Sequence, residues 1–371
     1  MNVIEKQHAS SMTDITLTTP DRREHFYCVT PEKGDTFSSV LEKLAAAVRE
    51  ANAQIITLEV FGGLGSGRQQ REVVRNAFGD AAFPVTWVEE SSGDASKVAG
   101  VQAWAISGVP VLPILFNSTV LGNYFDLPSG RYCRLGGITP PDTLLTQKEQ
   151  SSAVFRRMDE ALRLCDMQFT QVMRTWFFNH HLLDWYDAFN AARDAFFREK
   201  QMFQHVVPAS TGIEGGNAAG AALEAGALAV IPADDNVTVC AVPSPLQCAA
   251  LEYGSTFSRA AEIREPGLRR LFISGTASIS PDGKTQFDGD IDAQIKRTME
   301  VVSSILHFRG MDLSCTTRAL TYFKHAEHIP AFDAWRTANN IPDIPTIRIH
   351  NDVCRHDLLF EIELDAISVE S

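Results

Sequence analysis

The chain has 371 residues, 44% of them hydrophobic, and a formal net charge of −13. That length exceeds one ordinary core and implies two or three domains. The acidic balance argues against general affinity for a nucleic-acid backbone, and no apolar run approaches the roughly 18 residues of a membrane span.

Residues 1–20 are polar and rich in Thr and Ser, and read as a flexible lead-in. Residues 21–112 then set out a plan: a strand over 26–29, a helix over 36–53, a strand over 55–61, a helix near 69–78, and strands over 84–88 and 98–106. In the first helix Phe37, Val40, Leu41, Leu44 and Val48 fall at helical spacing. Residues 113–243 repeat the plan with a strand over 132–135, a helix over 151–165 and a strand over 169–178. A helix over 183–198 and strands near 210 and over 223–230 follow. Residues 244–371 repeat it again, with a strand over 270–274, a helix over 291–308, a strand over 317–323, a helix over 330–339 and a terminal hairpin. Residues 165–178 overlay 310–323, and 224–230 overlay 361–367, which sets Glu224 against Glu361. Each unit is a sheet backed by helices on one face. Its other face needs cover, which two sibling units supply, so an α+β intramolecular pseudo-trimer with clefts between neighbours is expected.

The stretch 351–366 draws the functional reading. Alternation sends Phe360, Ile362 and Leu364 to one face and Glu361, Glu363 and Asp365 to the other. The run 346–350 also reads as a strand. A reversal at 356–358 would pair the two, setting Cys354 opposite Glu361 and Asp352 opposite Glu363, with Arg355 alongside. The competing readings are a solvated strand face and, for Cys354, a small buried hydrophobe.

Other signals carry less. The glycine-rich run 62–67 lacks the Lys-Ser/Thr of a phosphate loop and reads as a flexible loop. The run 212–220 reads as a turn that could border a cleft. His180 and His181 read as surface residues of a loop, and no metal site is expected. Trp176, Phe177, Phe178, Trp185, Tyr186, Phe189, Phe196 and Phe197 read as interdomain core. Glu224 reads as a relic acid beside the small residues Ala222 and Gly226. Seven scattered cysteines with no Cys-x-x-Cys pair suit a reducing cytoplasm, and the first residues show neither the basic nor the apolar region of an export signal.

The repeated unit resembles the Rid (YjgF) fold, a chorismate-mutase-like unit whose members form homotrimers with a site in each subunit cleft. The third unit resembles something narrower. Residues 253–260 (Tyr-Gly-Ser-Thr-Phe-Ser-Arg-Ala), 273–279 (Ile-Ser-Gly-Thr-Ala-Ser-Ile), Gly289-Asp290, 352–355 (Asp-Val-Cys-Arg) and 358–361 (Leu-Leu-Phe-Glu) are similar, in order, to the chorismatase family. The resemblance implies three tandem Rid/YjgF-like units and a cofactor-free enzyme. Its reaction would remove the enolpyruvyl group of chorismate as pyruvate, leaving a hydroxybenzoate or a dihydroxycyclohexadiene carboxylate. It carries the family's catalytic glutamate to Glu361 and the cysteine of hydroxybenzoate-forming members to Cys354. It assigns Arg259 and Arg355 to substrate carboxylates, and lines the pocket with Tyr253, Gly275, Thr276 and Ala277.

Such chemistry needs a carboxylic acid whose pKa is raised by an apolar wall, so that it can protonate the vinyl carbon. Glu363 would help to hold one proton on the pair, and bidentate arginines suit a dicarboxylate. Cys354 would shape the route of the intermediate, since no histidine base is evident beside it. Two alternatives remain: a Rid-type enamine or imine deaminase, and a non-catalytic small-molecule binder. The deaminases' carboxylate-binding arginine would fall near Thr346, and Arg348 could replace it only after a register change. A small anionic substrate is expected as partner, with no nucleic acid and no membrane. The chain would act as a monomeric pseudo-trimer or as a homo-oligomer of it.

Overall fold

Four helices start at a side chain that satisfies their first free amides. Thr36, Ser66 and Thr146 form reciprocal capping boxes with Ser39, Gln69 and Glu149 at the heads of α1 (Phe37–Glu50), α2 (Gly67–Phe78) and α3 (Gln147–Arg163). Asp290 accepts from Ala293 N at the head of α5 (Ile291–Phe308). Among the described residues the other two α-helices are α4 (Leu182–Glu199) and α6 (Ile329–Ala338). The computed structural model describes residues 2–370 apart from Leu64, Ala81, Gly93, Ala95 and Gly254, and of Tyr253 only the backbone. Among the described residues no helix is long and apolar enough to cross a membrane.

The strands form three six-stranded mixed sheets of one design. The first holds β1 (Val3–Ala9), β2 (Met12–Thr18), β3 (Arg23–Val29), β4 (Gln54–Gly62), β5 (Val85–Glu89) and β6 (Val98–Ser107), in the order β1-β2-β3-β6-β4-β5. The second holds β7 (Leu112–Phe116), β8 (Thr119–Leu127), β9 (Gly130–Ile138), β10 (Val172–Asn179), β11 (Ala209–Glu214) and β12 (Leu223–Pro232), in the order β11-β10-β12-β9-β8-β7. The third holds β13 (Thr238–Val242), β14 (Ala260–Glu265), β15 (Leu268–Ala277), β16 (Thr316–Phe323), β17 (Thr346–His350) and β18 (Phe360–Val369), in the order β13-β14-β15-β18-β16-β17. In each sheet a helix crosses between two parallel strands: β4–α2–β5, β10–α4–β11 and β16–α6–β17.

One face of each sheet packs against its own helices. Leu44 and Val48 of α1 meet Leu58 and Val60, Phe155 and Phe189 meet Phe177, and Met299 and Ile305 meet Ile362 and Leu364. The opposite faces share one central core, with Ile56, Phe61 and Val88 from the first sheet, Trp176, Phe178 and Ile213 from the second, and Leu320, Tyr322 and Ile347 from the third. The three sheets therefore face inward. Asn351, fully buried, ties them together. Its Nδ2 donates to the carbonyls of Glu89 (3.2 Å) and Glu214 (2.8 Å), and its Oδ1 accepts from Ser91 N (2.8 Å).

Several expectations need correction. Residues 1–20 are no loose lead-in. They supply β1 and β2, paired from Val3↔Thr18 to Ala9↔Met12, because Ile15 and Leu17 alternate among threonines and are buried. A third unit starting at 244 would lose β13, which pairs with β14. The terminal hairpin does not form, because β16 lies between β17 and β18. Asp352 consequently does not face Glu363, and its carbonyl accepts from Glu214 N instead (3.1 Å). The overlay of 165–178 on 310–323 is one residue out: Phe178 pairs with Glu224 as Tyr322 pairs with Glu361, so Arg174 corresponds to Arg318. A slip of one would place the two arginines on opposite faces. Finally, only Trp176 and Phe178 of the aromatic run lie in the central core. Phe177, Trp185, Phe189, Phe196 and Phe197 fill the second unit's own sheet–helix core.

Candidate active site

Glu361 stands near the start of β18, opposite Tyr322 of β16 and Ala277 of β15. The ladder between β15 and β18 is interrupted between Ile273 and Thr276, and this bulge turns Gly275 toward Glu361. A Cβ on Gly275 would overlap Glu361 Oε1, so only glycine leaves the carboxyl its place. Gly275 N donates to Thr211 Oγ1 on β11 of the second unit at 3.1 Å, which sets the width of the cleft between the units. The cleft encloses about 540 Å³ including its mouth. The third unit contributes Glu361, Gly275, Ala277, Cys354, Arg355 and Arg259, and the second contributes Tyr186, Arg193, Ser210 and Gly212.

The electrostatics separate the acids. Glu361 is 4% exposed. Burial first, and the negative charge of Glu363 second, push its carboxyl up to about 8 against the opposing pull of Arg174 and Arg355. At neutral pH it keeps its proton. Glu363 is different. Burial alone would raise it, but the Arg318 and Arg174 guanidiniums outweigh burial and hold it below the usual carboxylate range. Its oxygens accept from Arg174 Nη2 (2.9 Å), Trp176 Nε1 (3.0 Å) and Arg318 Nη1 (2.7 Å). Glu363 is thus no partner in a shared proton; its fixed charge helps keep the proton on Glu361. Cys354 Sγ lies 3.9 Å from Glu361 Oε2, and burial followed by the Glu361 charge pushes the thiol up to about 12. It stays protonated and is no nucleophile.

Around this centre Arg355 Nη1 donates to Gly283 O at 2.7 Å, and Arg259 Nε donates to Cys248 O at 3.0 Å. The Phe257 ring has the Arg259 guanidinium at 5.6 Å and that of Arg193 at 5.9 Å. Thr276 does not line the cleft. It pairs with Ile362, so its side chain is on the helix-covered face, where its hydroxyl donates to Ser274 O (2.8 Å). The side chain of Tyr253 lies outside the described residues. Sequence reasoning missed Tyr186 and Arg193 of α4. The signal for Arg193 was a lone cation in the apolar stripe of Phe189, Phe196 and Phe197, where it is 2% exposed.

The two sibling clefts show what this one has kept. In the second unit Glu224 holds the position of Glu361, and burial pushes it likewise up to about 8. Gly137 N donates to Thr86 Oγ1 (3.0 Å), as Gly275 N does to Thr211. Gly226 and Leu228, however, replace Glu363 and Asp365. The segment after β11 also lies against β5, where a Cβ on Gly215 would stand 2.6 Å from Val88 Cγ1. In the first unit Gly100 takes the acid's position, and Ile347 fills the space.

Gly275→Ala therefore tests the geometry. Its side chain can only displace the Glu361 carboxyl, and misplacement by about 1 Å costs on the order of 100-fold in kcat. The melting temperature should barely move, because the backbone there suits any residue. A variant retaining wild-type turnover would show that the carboxyl position is irrelevant.

A solved chorismatase at 18% identity matches the chain with a TM-score of 0.65, covering 92% of this chain and 98% of its own. The chain thus has the fold of that chorismatase. Yeast Mmf1, at 18% identity, is covered over its full length by 36% of this chain with a TM-score of 0.30. RidA from an Antarctic Psychrobacter, also at 18%, is covered over 96% by 34% of this chain with a TM-score of 0.28. No protein-family model and no curated protein sequence matches the chain.

Proposed function

We propose that this chain, built on the fold of a chorismatase, removes the enolpyruvyl group of chorismate or a close relative as pyruvate, without a cofactor and with Glu361 as the proton donor. The observation that carries the reading is a buried carboxyl, pushed up to about 8 by burial and the Glu363 charge, enclosed in a cleft that also holds guanidinium groups. Glu361 gives its proton to the terminal vinyl carbon, and the carbon bearing the ether oxygen becomes an oxocarbenium centre. Water attacks that centre, the ether C–O bond breaks toward the ring oxygen, and pyruvate leaves with the ring hydroxyl restored. In the route to a hydroxybenzoate no water is added. The ring C–O bond breaks, the ether oxygen leaves as the carbonyl oxygen of pyruvate, and the neighbouring ring hydroxyl closes onto the ring carbon in its place. Loss of a ring C–H proton to the Glu361 carboxylate then makes the ring aromatic. Arg355 and Arg259 hold the two carboxylates, while Gly275 leaves room for the Glu361 carboxyl and Ala277 for the ring.

The deaminase alternative loses its arginine. Arg348 Nη2 is engaged by Asp333 Oδ1 at 2.5 Å on the edge strand. The seven free thiols accord with a reducing cytoplasm as the working compartment.

Incubation of the purified protein with chorismate, with pyruvate followed by a coupled lactate dehydrogenase assay, tests the reading. Stoichiometric pyruvate is expected, and its absence sinks the proposal. Cys354, protonated and against the acid, borders the intermediate without attacking it. Cys354→Ala should shift the ratio of hydroxybenzoate to dihydroxycyclohexadiene several-fold at unchanged total pyruvate. An unchanged ratio makes Cys354 a packing residue.

A further inference from the structure

We infer that His180, His181 and Glu214 form a binding site for one borderline divalent cation of the zinc type, at the head of α4, in a depression that shares no lining residue with the Glu361 cleft. Each offers one ligand atom, and all three atoms lie within 4.8 Å of one another. Tetrahedral zinc with bonds of about 2.0–2.1 Å needs ligand separations of about 3.4 Å, within reach of small side-chain rotations. Two imidazoles and one carboxylate, with a fourth position open to water, favour zinc over the hard cations magnesium and calcium.

Adjacent residues in extended backbone point to opposite sides, yet these two rings lie 3.9 Å apart, centre to centre. The cause is the left-handed backbone of His181 (φ 55°, ψ 47°), a conformation that a residue with a β-carbon adopts rarely and that marks functional positions. The carboxylate is equally fixed. Glu214, 9% exposed, accepts from His181 N at 2.8 Å and from Leu182 N at 2.6 Å, which leaves the second lone pair of each oxygen for a metal. The backbone around His180 is held as well, with its N–H on Ala222 O (2.9 Å) and its carbonyl accepting from Trp185 Nε1 (2.8 Å). The cluster opens into a depression of about 1200 Å³ lined by the further acids Glu89, Glu90, Asp184 and Asp352 and by Lys324. Glu90 is paired with Lys97 Nζ (3.0 Å), so three further acids face one lysine among the described lining residues. Such a rim concentrates cations. A bound ion would pin the start of α4, the helix that carries Tyr186 and Arg193.

The competing role for Glu214 is only to cap α4, which needs no histidine side chain. Chelator-stripped full-length protein, titrated with Zn²⁺ against a chromophoric chelator, separates the two. One equivalent should bind, and His181→Asn, which tolerates the left-handed backbone, should weaken it at least about 100-fold. Zn²⁺ should raise the melting temperature of the wild type and leave that of His181→Asn unchanged. Cobalt(II) added to the wild type should give d–d bands without a thiolate charge-transfer band. The inference is overturned if the wild type binds no Zn²⁺ at submillimolar concentration, if His180→Ala/His181→Asn binds as tightly, or if the cobalt spectrum shows thiolate ligation.

Discussion

Glu361→Gln should abolish pyruvate release from chorismate, lowering kcat by at least about 10³-fold, within the range ascribed to a positioned general acid. The amide keeps the carboxyl's shape, so the space made by Gly275 and the contact with Cys354 Sγ survive, and only the transferable proton is lost. In the wild type the donor is competent while protonated. Activity should therefore persist through neutral pH and fall as the pH rises through about 8. Stability gives an independent check. The folded-state pKa lies above the ordinary value of 4.5, so between about 4.5 and 8 the folded chain holds a proton that the unfolded chain has released. Stability from this group is full below that window and is lost as pH rises across it. Glu361→Gln removes that slope, so the inactive variant should be the more stable protein at pH 9, by on the order of a few kcal/mol. Urea unfolding at pH 5 and pH 9 measures it. A variant with more than a tenth of wild-type kcat would remove Glu361 from the role of donor.

Much of this centre was legible because strand alternation is a strong signal. With period two, Phe360 and Ile362 on one face force Glu361 and Glu363 onto the other, whatever the strand pairs with. The pairing was not legible. Both 346–350 and 360–367 look like strands, and nothing in either segment states that β16 separates them. That depends on the parallel crossover through α6. Cys354 did reach Glu361, but by way of the loop after β17 and not across a hairpin. The two outer strands of each sheet, β1 and β2, β7 and β8, β13 and β14, were overlooked. β1 is exposed throughout and β7 and β13 are only five residues long, which leaves little periodicity to read, whereas β2, β8 and β14 are largely buried and carried a strand signal that was passed over. The ion partners of Glu363 were hidden by the one-residue slip, which set Arg174 against an alanine and not against Arg318. Arg193 was hidden because a helix stripe with one cation still reads as a core stripe.

The largest effect on stability should come from Arg318→Met, which removes the guanidinium that joins two units at the pseudo-threefold axis. Five charges alternate in sign there, four of them buried and Arg318 nearly so. Arg134 Nη2 meets Glu59 Oε1 (2.5 Å), Arg318 Nη2 meets Glu59 Oε2 (2.8 Å), Arg318 Nη1 meets Glu363 Oε1 (2.7 Å) and Arg174 Nη2 meets Glu363 Oε2 (2.9 Å). Glu59 belongs to the first sheet, Arg134 and Arg174 to the second, and Arg318 and Glu363 to the third. Methionine fills the stem but leaves both carboxylates short of a partner in a dry core, and breaking a buried pair in this way costs roughly 3–5 kcal/mol. The urea midpoint should fall accordingly with the slope unchanged; a loss below about 1 kcal/mol would show that solvent reaches the network. The same charges set the acid. Glu363→Gln takes away the anion that helps hold the proton on Glu361 and leaves the pull of Arg174 in place, so the pH at which activity fails should move below about 8. An unmoved profile, with folding confirmed by the melting curve, would mean that burial alone sustains the proton.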